Sequence, residues 1–222
     1  GAVRAVAFDG QNYAASSETD LLLSVSALTV ECFIFVDSEA ENVHGGILCA
    51  YNNTDGERGW QVRFDEIEEY DEEGMTNVIY RALHADWGYK DGAWAGGNAD
   101  TPLPLDLWVH VALTWDGANV YLFQDGALVG TWEADSLDVL AVPVRLGVDP
   151  AEVGAEVQVK TATVSQECKW TSGFSPPSTL ATNANTLAFW PFNETGGNVL
   201  YDVVSGVNAT FYGDPLPQWV PQ

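Results

Sequence analysis

The chain has 222 residues, 46% of them hydrophobic, enough to bury a sizeable core within one all-β sandwich. Its 32 acidic and 8 basic residues leave a formal charge of −24, a field that repels nucleic acid, anionic membranes and sulfated or sialylated polymers. Neutral ligands, cations and basic partners remain, no apolar run approaches the roughly 18 residues of a membrane span, and the first residues lack the pattern of a secretory leader.

In chain order, short β-prone runs occur at LTVECFIFV, GGILCAY, WQVRF and NVIYRAL, separated by clusters of Gly, Asp, Asn and Pro. The most legible segment follows. In LWVHVALTWDGANVYLFQDGALVGTWE, Val109, Val111, Leu113 and Trp115 alternate with Trp108, His110, Ala112 and Thr114, which predicts a strand ending at an Asp116-Gly117 turn. Val120 to Gln124 then meets Asp125-Gly126, a pair suited to a type I′ hairpin because both central residues need positive φ. Further runs at VPVRLGV, VQVKTATVS, TLAFWPF and NATFYG continue the pattern, and no amphipathic helix competes with them. So many short strands imply two packed antiparallel sheets, an all-β sandwich or jelly roll.

The uncharged segment TSGFSPPSTLATNANT divides a main block, residues 1–170, from a tail, residues 186–222, with 171–185 as the connector. The tail is too small to fold alone and is expected to complete the same sandwich. Trp60, Trp115 and Trp190 are expected in the core. Cys32, Cys49 and Cys168 lack zinc-site spacing and read as buried thiols, with a Cys32–Cys49 bridge left open. Asn52, Asn193 and Asn208 each head an N-x-T triplet.

VAFDGQNYA, SALTVECFIFV, LWVHVALTWDGANVYLFQDGALVG and the weaker VRLGV resemble the laminin-G-like members of the concanavalin A-like lectin and glucanase superfamily, over roughly the first two thirds of the chain. The resemblance implies a two-sheet antiparallel sandwich that serves as an extracellular or cell-surface recognition module within a larger protein. Where the family usually has an Ile-Asp-Glu-Val-like strand, this chain has Val159-Lys160-Thr161-Ala162, so any role of that acidic pair is lost or moved. The tail resembles strands that precede the FDG strand in many relatives. This implies either a permuted order, which the aromatic-rich tail favours, or the start of a second repeat.

Three groups of residues are candidates for function. Glu69, Asp71 and Glu73, in FDEIEEYDEEG, would share one face of an extended strand and supply the paired carboxylates of a glycoside hydrolase. Tyr70 and Glu72 lie between them, however, and a core-facing glutamate would be penalised, so a solvated acidic hairpin connection is the ordinary expectation. Calcium is expected at Asp9 and at Asp202, Gly206 and Asn208, because oxygen ligands in tight Gly-containing loops can converge on a hard cation. The resemblance also points to Asp9.

In HADWGYKDGAWAGGN, Trp87, Tyr89 and Trp94 could stack on sugar faces while Asp86, Asp91 and Asn98 bind hydroxyls, which predicts a neutral glycan or glycoprotein ligand held by rim loops. His110 reads as structural, and His44 and His84 lack partners at catalytic or metal spacing. The leading expectation is a non-catalytic binding module with structural calcium. The alternatives are the hydrolase and an adhesive spacer.

Overall fold

A computed structural model describes residues 2–21, 25–41, 44–53, 59–89, 93–137, 141–151 and 153–221. Its first sheet, sheet A, contains β1 (Ala5–Asp9), β3 (Leu28–Phe35), β8 (Trp108–Trp115), β9 (Asn119–Gln124), β10 (Ala127–Glu133), β12 (Glu156–Ser165), β13 (Thr186–Trp190) and β16 (Gln218–Val220). Sheet B contains β2 (Tyr13–Thr19), β4 (Gly45–Ala50), β5 (Trp60–Tyr70), β6 (Thr76–Gly88), β7 (Trp94–Asn98), β11 (Val142–Leu146), β14 (Val199–Leu200) and β15 (Ala209–Tyr212). The order in sheet A is β10-β9-β8-β3-β12-β1-β16, with β13 also on β12, and in sheet B β14-β15-β2-β11-β4-β5-β6-β7. All strand pairs named here are antiparallel, the two sheets form an all-β sandwich, and no helix occurs among the described residues.

Alternation decides what enters the core. In β3, Val30, Cys32 and Ile34 face inward, as do Val109, Val111 and Leu113 of β8 and Trp60, Val62 and Phe64 of β5. Burying each such aliphatic or aromatic side chain stabilises the fold by about 1.5–3 kcal/mol. Trp60, Trp115 and Trp190 are all buried. The Asp125-Gly126 turn has φ of 49° and 77° at its two residues, the left-handed pair that joins β9 to β10 tightly.

The tail supplies strands to both sheets. Its β13 pairs with the second half of β12, β15 pairs with β2, and β16 pairs with β1, where Val6 lies opposite Trp219. The amide of Arg4 donates to the carbonyl of Phe192 at 2.8 Å, and the Arg4 guanidinium sits over the Trp219 ring. The first described residues and the last therefore meet at one edge of the sandwich.

Both faces of β8 are buried, although its alternation suggests one wet face. The cover is the segment from Glu167 to Phe174. Thr29 and Thr114 donate their hydroxyls to the carbonyls of Glu167 and Trp170, both at 2.6 Å, and Trp170 stacks on Phe174 with ring centres 3.7 Å apart. The stack meets His110 and Phe123 edge-on. Under it, Glu31 is 2% exposed and takes bonds from His110 Nε2 at 3.0 Å and Lys169 Nζ at 2.6 Å. Burial alone would raise this carboxyl, but the two hydrogen bonds and charges outweigh it and hold it below the usual carboxylate range.

Cys32 and Cys49 stand in different sheets as free thiols. Burial pushes each up to about 12, which keeps them protonated and inert. Cys168 is also free, and half-buried in the covering segment.

Candidate functional site on the outer face of sheet B

Sheet B has an outer face whose central strands carry polar side chains. Because opposed residues in antiparallel strands share a face, the register fixes two rows across it. One row runs from Arg145 of β11 through Cys49 of β4, Gln61 of β5 and Asp86 of β6 to Gly96 of β7; the next holds Arg63, His84 and Asn98. These positions alternate with Trp60, Val62, Phe64, Leu83, Ala85 and Trp87, which anchor the same strands in the core.

Asp86 is the hub. Only 3% exposed, it accepts from Gln61 Nε2 at 2.6 Å and Arg63 Nε at 2.9 Å through one oxygen, while the other lies 2.8 Å from His84 Nε2. His84 Nδ1 lies 2.6 Å from Asn98 Oδ1 and 3.6 Å from Asp65, and Arg63 also binds Asp65 at 2.6 Å. Burial raises the Asp86 carboxyl, but His84 and Arg63 more than offset it and keep the group ionised well into the acid range. Gly96 is needed beside this hub, since a Cβ there would stand 2.3 Å from Asp86 Oδ1.

A recess of about 390 Å³ opens above the network, lined by Tyr51, Asn53, Gln61, Arg63, Asp86, Trp94 and Asp149. Trp94, on the same face of β7 as Gly96, is 57% exposed. A flat, wet aromatic ring beside converging polar groups suits a ligand with one apolar face and a rim of hydroxyls.

A sequence model of the family described as the concanavalin A-like lectin/glucanases superfamily matches residues 8–160, well over half the chain. The chain belongs to that superfamily. No curated protein matches it significantly in sequence. Among solved structures, a candidate carbohydrate-binding protein of Bacteroides ovatus is similar at a TM-score of 0.66 and 13% identity, covering 98% of this chain. The chain spans 60% of that protein's length. The heptameric SAP-like pentraxin of Limulus polyphemus is similar at a TM-score of 0.50 and 16% identity, over 75% of this chain and 77% of its own. Domains LG4-5 of the mouse laminin α1 chain give a TM-score of 0.51 at 14% identity, over 78% of this chain and 45% of theirs. These likenesses are of fold.

On this concanavalin A-like frame the expected site residues part company. Trp94, Asp86 and Asn98 meet on the outer face of sheet B, on strands and not on rim loops. Trp87 is corrected to a core residue: at 2% exposure it packs on Trp132, because its position in β6 points between the sheets. Tyr89 lines a different recess with Gly117, Asn119, Glu133 and Asp135. Asp91 lies outside the described residues.

The carboxylates Glu69, Asp71 and Glu73 do not form one strand face. Strand β5 runs to Tyr70 and so includes Glu69, but Asp71 begins the turn, accepting the backbone N–H groups of Glu73 and Met75 at 2.9 Å. The segment is thus part strand and part turn, and the catalytic alignment is absent.

Asp9, Asp202, Gly206 and Asn208, the expected calcium ligands, serve two separate turns in the structure. Asp202 is buried and takes four backbone N–H donors, from Phe189, Val204, Ser205 and Val207, leaving its oxygens occupied. Asn208 Oδ1 accepts the Asp202 amide, and the Gly206 carbonyl accepts the Asn208 amide. Asp9 closes its own turn by accepting the amides of Gln11 and Asn12. Among the described residues no three His, Cys, Asp or Glu side chains converge as a metal site.

Gln61, Arg63 and Asp65 were not among the expected site residues, and His84, expected to lack partners, meets Asp86 and Asn98. Their signal was the period of two in WQVRFD and LHADW, polar residues alternating with apolar ones on both arms of one hairpin.

Proposed function

We propose that this chain is a non-catalytic glycan-recognition module of an extracellular or surface protein, and that it binds through the outer face of sheet B. The observation that carries this reading is the exposed Trp94 ring beside the recess whose floor is the Asp86 hydrogen-bond hub. The ring supplies stacking, and the hub holds Gln61, Arg63 and His84 in fixed orientation so that little side-chain entropy is lost on binding. Superfamily membership and the similarity in fold to a candidate carbohydrate-binding protein support the same class.

The charge of −24 disfavours polyanionic glycans, and among the described residues Arg63, the arginine lining the recess, is already bound by Asp65 and Asp86. A glycan without negative charge is the expected ligand, free or on a glycoprotein.

The test is a panel of soluble oligosaccharides titrated calorimetrically against the wild-type chain and Trp94→Ala, with product analysis for hydrolysis. Binding of an uncharged glycan that Trp94→Ala weakens supports the reading. Reproducible turnover, or affinity indifferent to Trp94, overturns it.

A further inference from the structure

Among its described residues the recess holds one buried acceptor without a partner and two carboxylates. Gln61 is 6% exposed and spends its amide N–H on Asp86, which leaves its Oε1 buried with no donor from the protein. A buried amide oxygen without a partner costs free energy until a donor reaches it. Asp149, which also lines the recess, uses Oδ1 to accept the backbone N–H groups of Ala151 at 2.8 Å and Val153 at 2.9 Å. Asp86 is the other lining carboxylate. Against these stands Arg63, whose Nε and one terminal nitrogen are spent on Asp86 and Asp65, and Arg145, which donates to the Tyr51 carbonyl at 3.3 Å.

An orphan acceptor, two carboxylates and an exposed indole face together describe what an ammonium group needs. It brings three N–H donors and no acceptor, its charge is drawn by the carboxylates, and an indole is the best of the aromatic rings for a cation. The field of a chain with net charge −24 raises the local concentration of cationic ligand further.

Resting on the glycan-binding reading above, we infer that the recess is a subsite for a free amino sugar, the unit whose ring carries a protonated amine in place of a hydroxyl or an acetamide. The sugar ring lies on Trp94 and the amine is directed to Gln61 Oε1 and the Asp149 carboxylate. An acetamide at the same carbon loses the charge and two of the three donors and adds bulk, so acetylation weakens binding.

The experiment uses three β-1,4-linked tetrasaccharides that differ only at the second carbon of each ring: glucosamine, N-acetylglucosamine and glucose. They are titrated into the whole chain at mildly acidic pH, low and high ionic strength, with Trp94→Ala and Asp149→Asn in parallel. Asp149→Asn keeps the Oδ1 acceptor that closes the turn, so the fold is retained. The expected result is that the glucosamine tetramer binds about tenfold more tightly than the others at low salt, that salt shrinks the advantage, and that Asp149→Asn brings the glucosamine tetramer down to the affinity of the neutral tetramers.

Equal or tighter binding of the acetylated tetramer overturns the inference, as does a preference that survives Asp149→Asn, or failure of the glucosamine tetramer to bind. If the neutral tetramers bind in a Trp94-dependent way and the amine gives no advantage, only the amino-sugar inference falls. If amine binding ignores Trp94→Ala, the attraction is general and the recess is not the site.

Discussion

The two outer faces of the sandwich carry nearly the same chemistry and put it to different ends. On sheet A, Glu31 is bound by His110 and Lys169; on sheet B, Asp86 is bound by His84, Arg63 and Gln61. Each carboxylate is buried and held below its usual range by a histidine and a cation. The difference is cover. The Trp170–Phe174 stack seals the first network, so it can act only within the protein, while the second forms the floor of a recess beside an exposed tryptophan. A buried charged hub is therefore no sign of a binding site by itself. What lies above it decides.

The sharpest way to break this comparison is to remove one hub at a time. Glu31→Gln leaves Lys169 and His110 facing a neutral amide under the aromatic cover, and breaking a buried pair this way costs about 3–5 kcal/mol. The melting temperature should fall by roughly 6–20 °C, from about 2–4 °C per kcal/mol for a chain of this size. Asp86→Asn lies beside an open recess where water can rehydrate Arg63, so its loss should be smaller while glycan affinity suffers. Thermal melts paired with calorimetry check both halves. Equal destabilisation by the two variants would show that cover makes no difference.

Acid should act on both hubs in the same direction. Both carboxyls have folded values below the ordinary 4.5 and 3.8, so their stabilisation is complete above those values and is lost as pH falls through the depressed ones. Chemical unfolding at a series of pH values should show stability constant through neutrality and falling below about pH 4. Glu31→Gln and Asp86→Asn should each flatten that fall, and an unchanged profile in either variant would remove that carboxyl from the account.

Trp94→Ala is the smaller perturbation, and it sharpens the assignment of the open face. The ring contributes little to the core, so stability should stay within about 0.5 kcal/mol of wild type. Glycan affinity should fall about tenfold, the worth of one stacking ring, or about 1.4 kcal/mol.

How far these faces were legible in the sequence depended on the range of the interactions. The alternation at Trp108 to Trp115 and the Asp125-Gly126 turn are local, and the structure has them where the pattern places them. The outer face of sheet B was half legible, because Asp86, Trp94 and Asn98 stood out while the strand pairing that sets Gln61 opposite Asp86 and Arg63 opposite His84 was not visible. Trp87 and Trp94 look alike in a Gly-rich run, and only the pairing of Trp87 with core-facing Trp60 separates them. The sealing of sheet A by residues some 140 positions from Thr29 lay beyond any local pattern.

The last and smallest expected effect concerns calcium. A chain with 32 acidic residues gains stability from any added salt, because screening relieves the mutual repulsion of its carboxylates. A specific site would add to this by mass action, since an ion that binds only the folded form stabilises it. The turn at Asp202 cannot supply that site without giving up four backbone hydrogen bonds, each of which would have to be replaced in a buried position. Calcium and magnesium at equal ionic strength are therefore expected to raise the melting temperature by the same amount, with Asp202→Asn lowering the baseline in both salts alike. A calcium-specific excess of several degrees that survives Asp202→Asn would place a cage elsewhere in the acidic surface, and one abolished by it would mean that the turn rearranges around the ion.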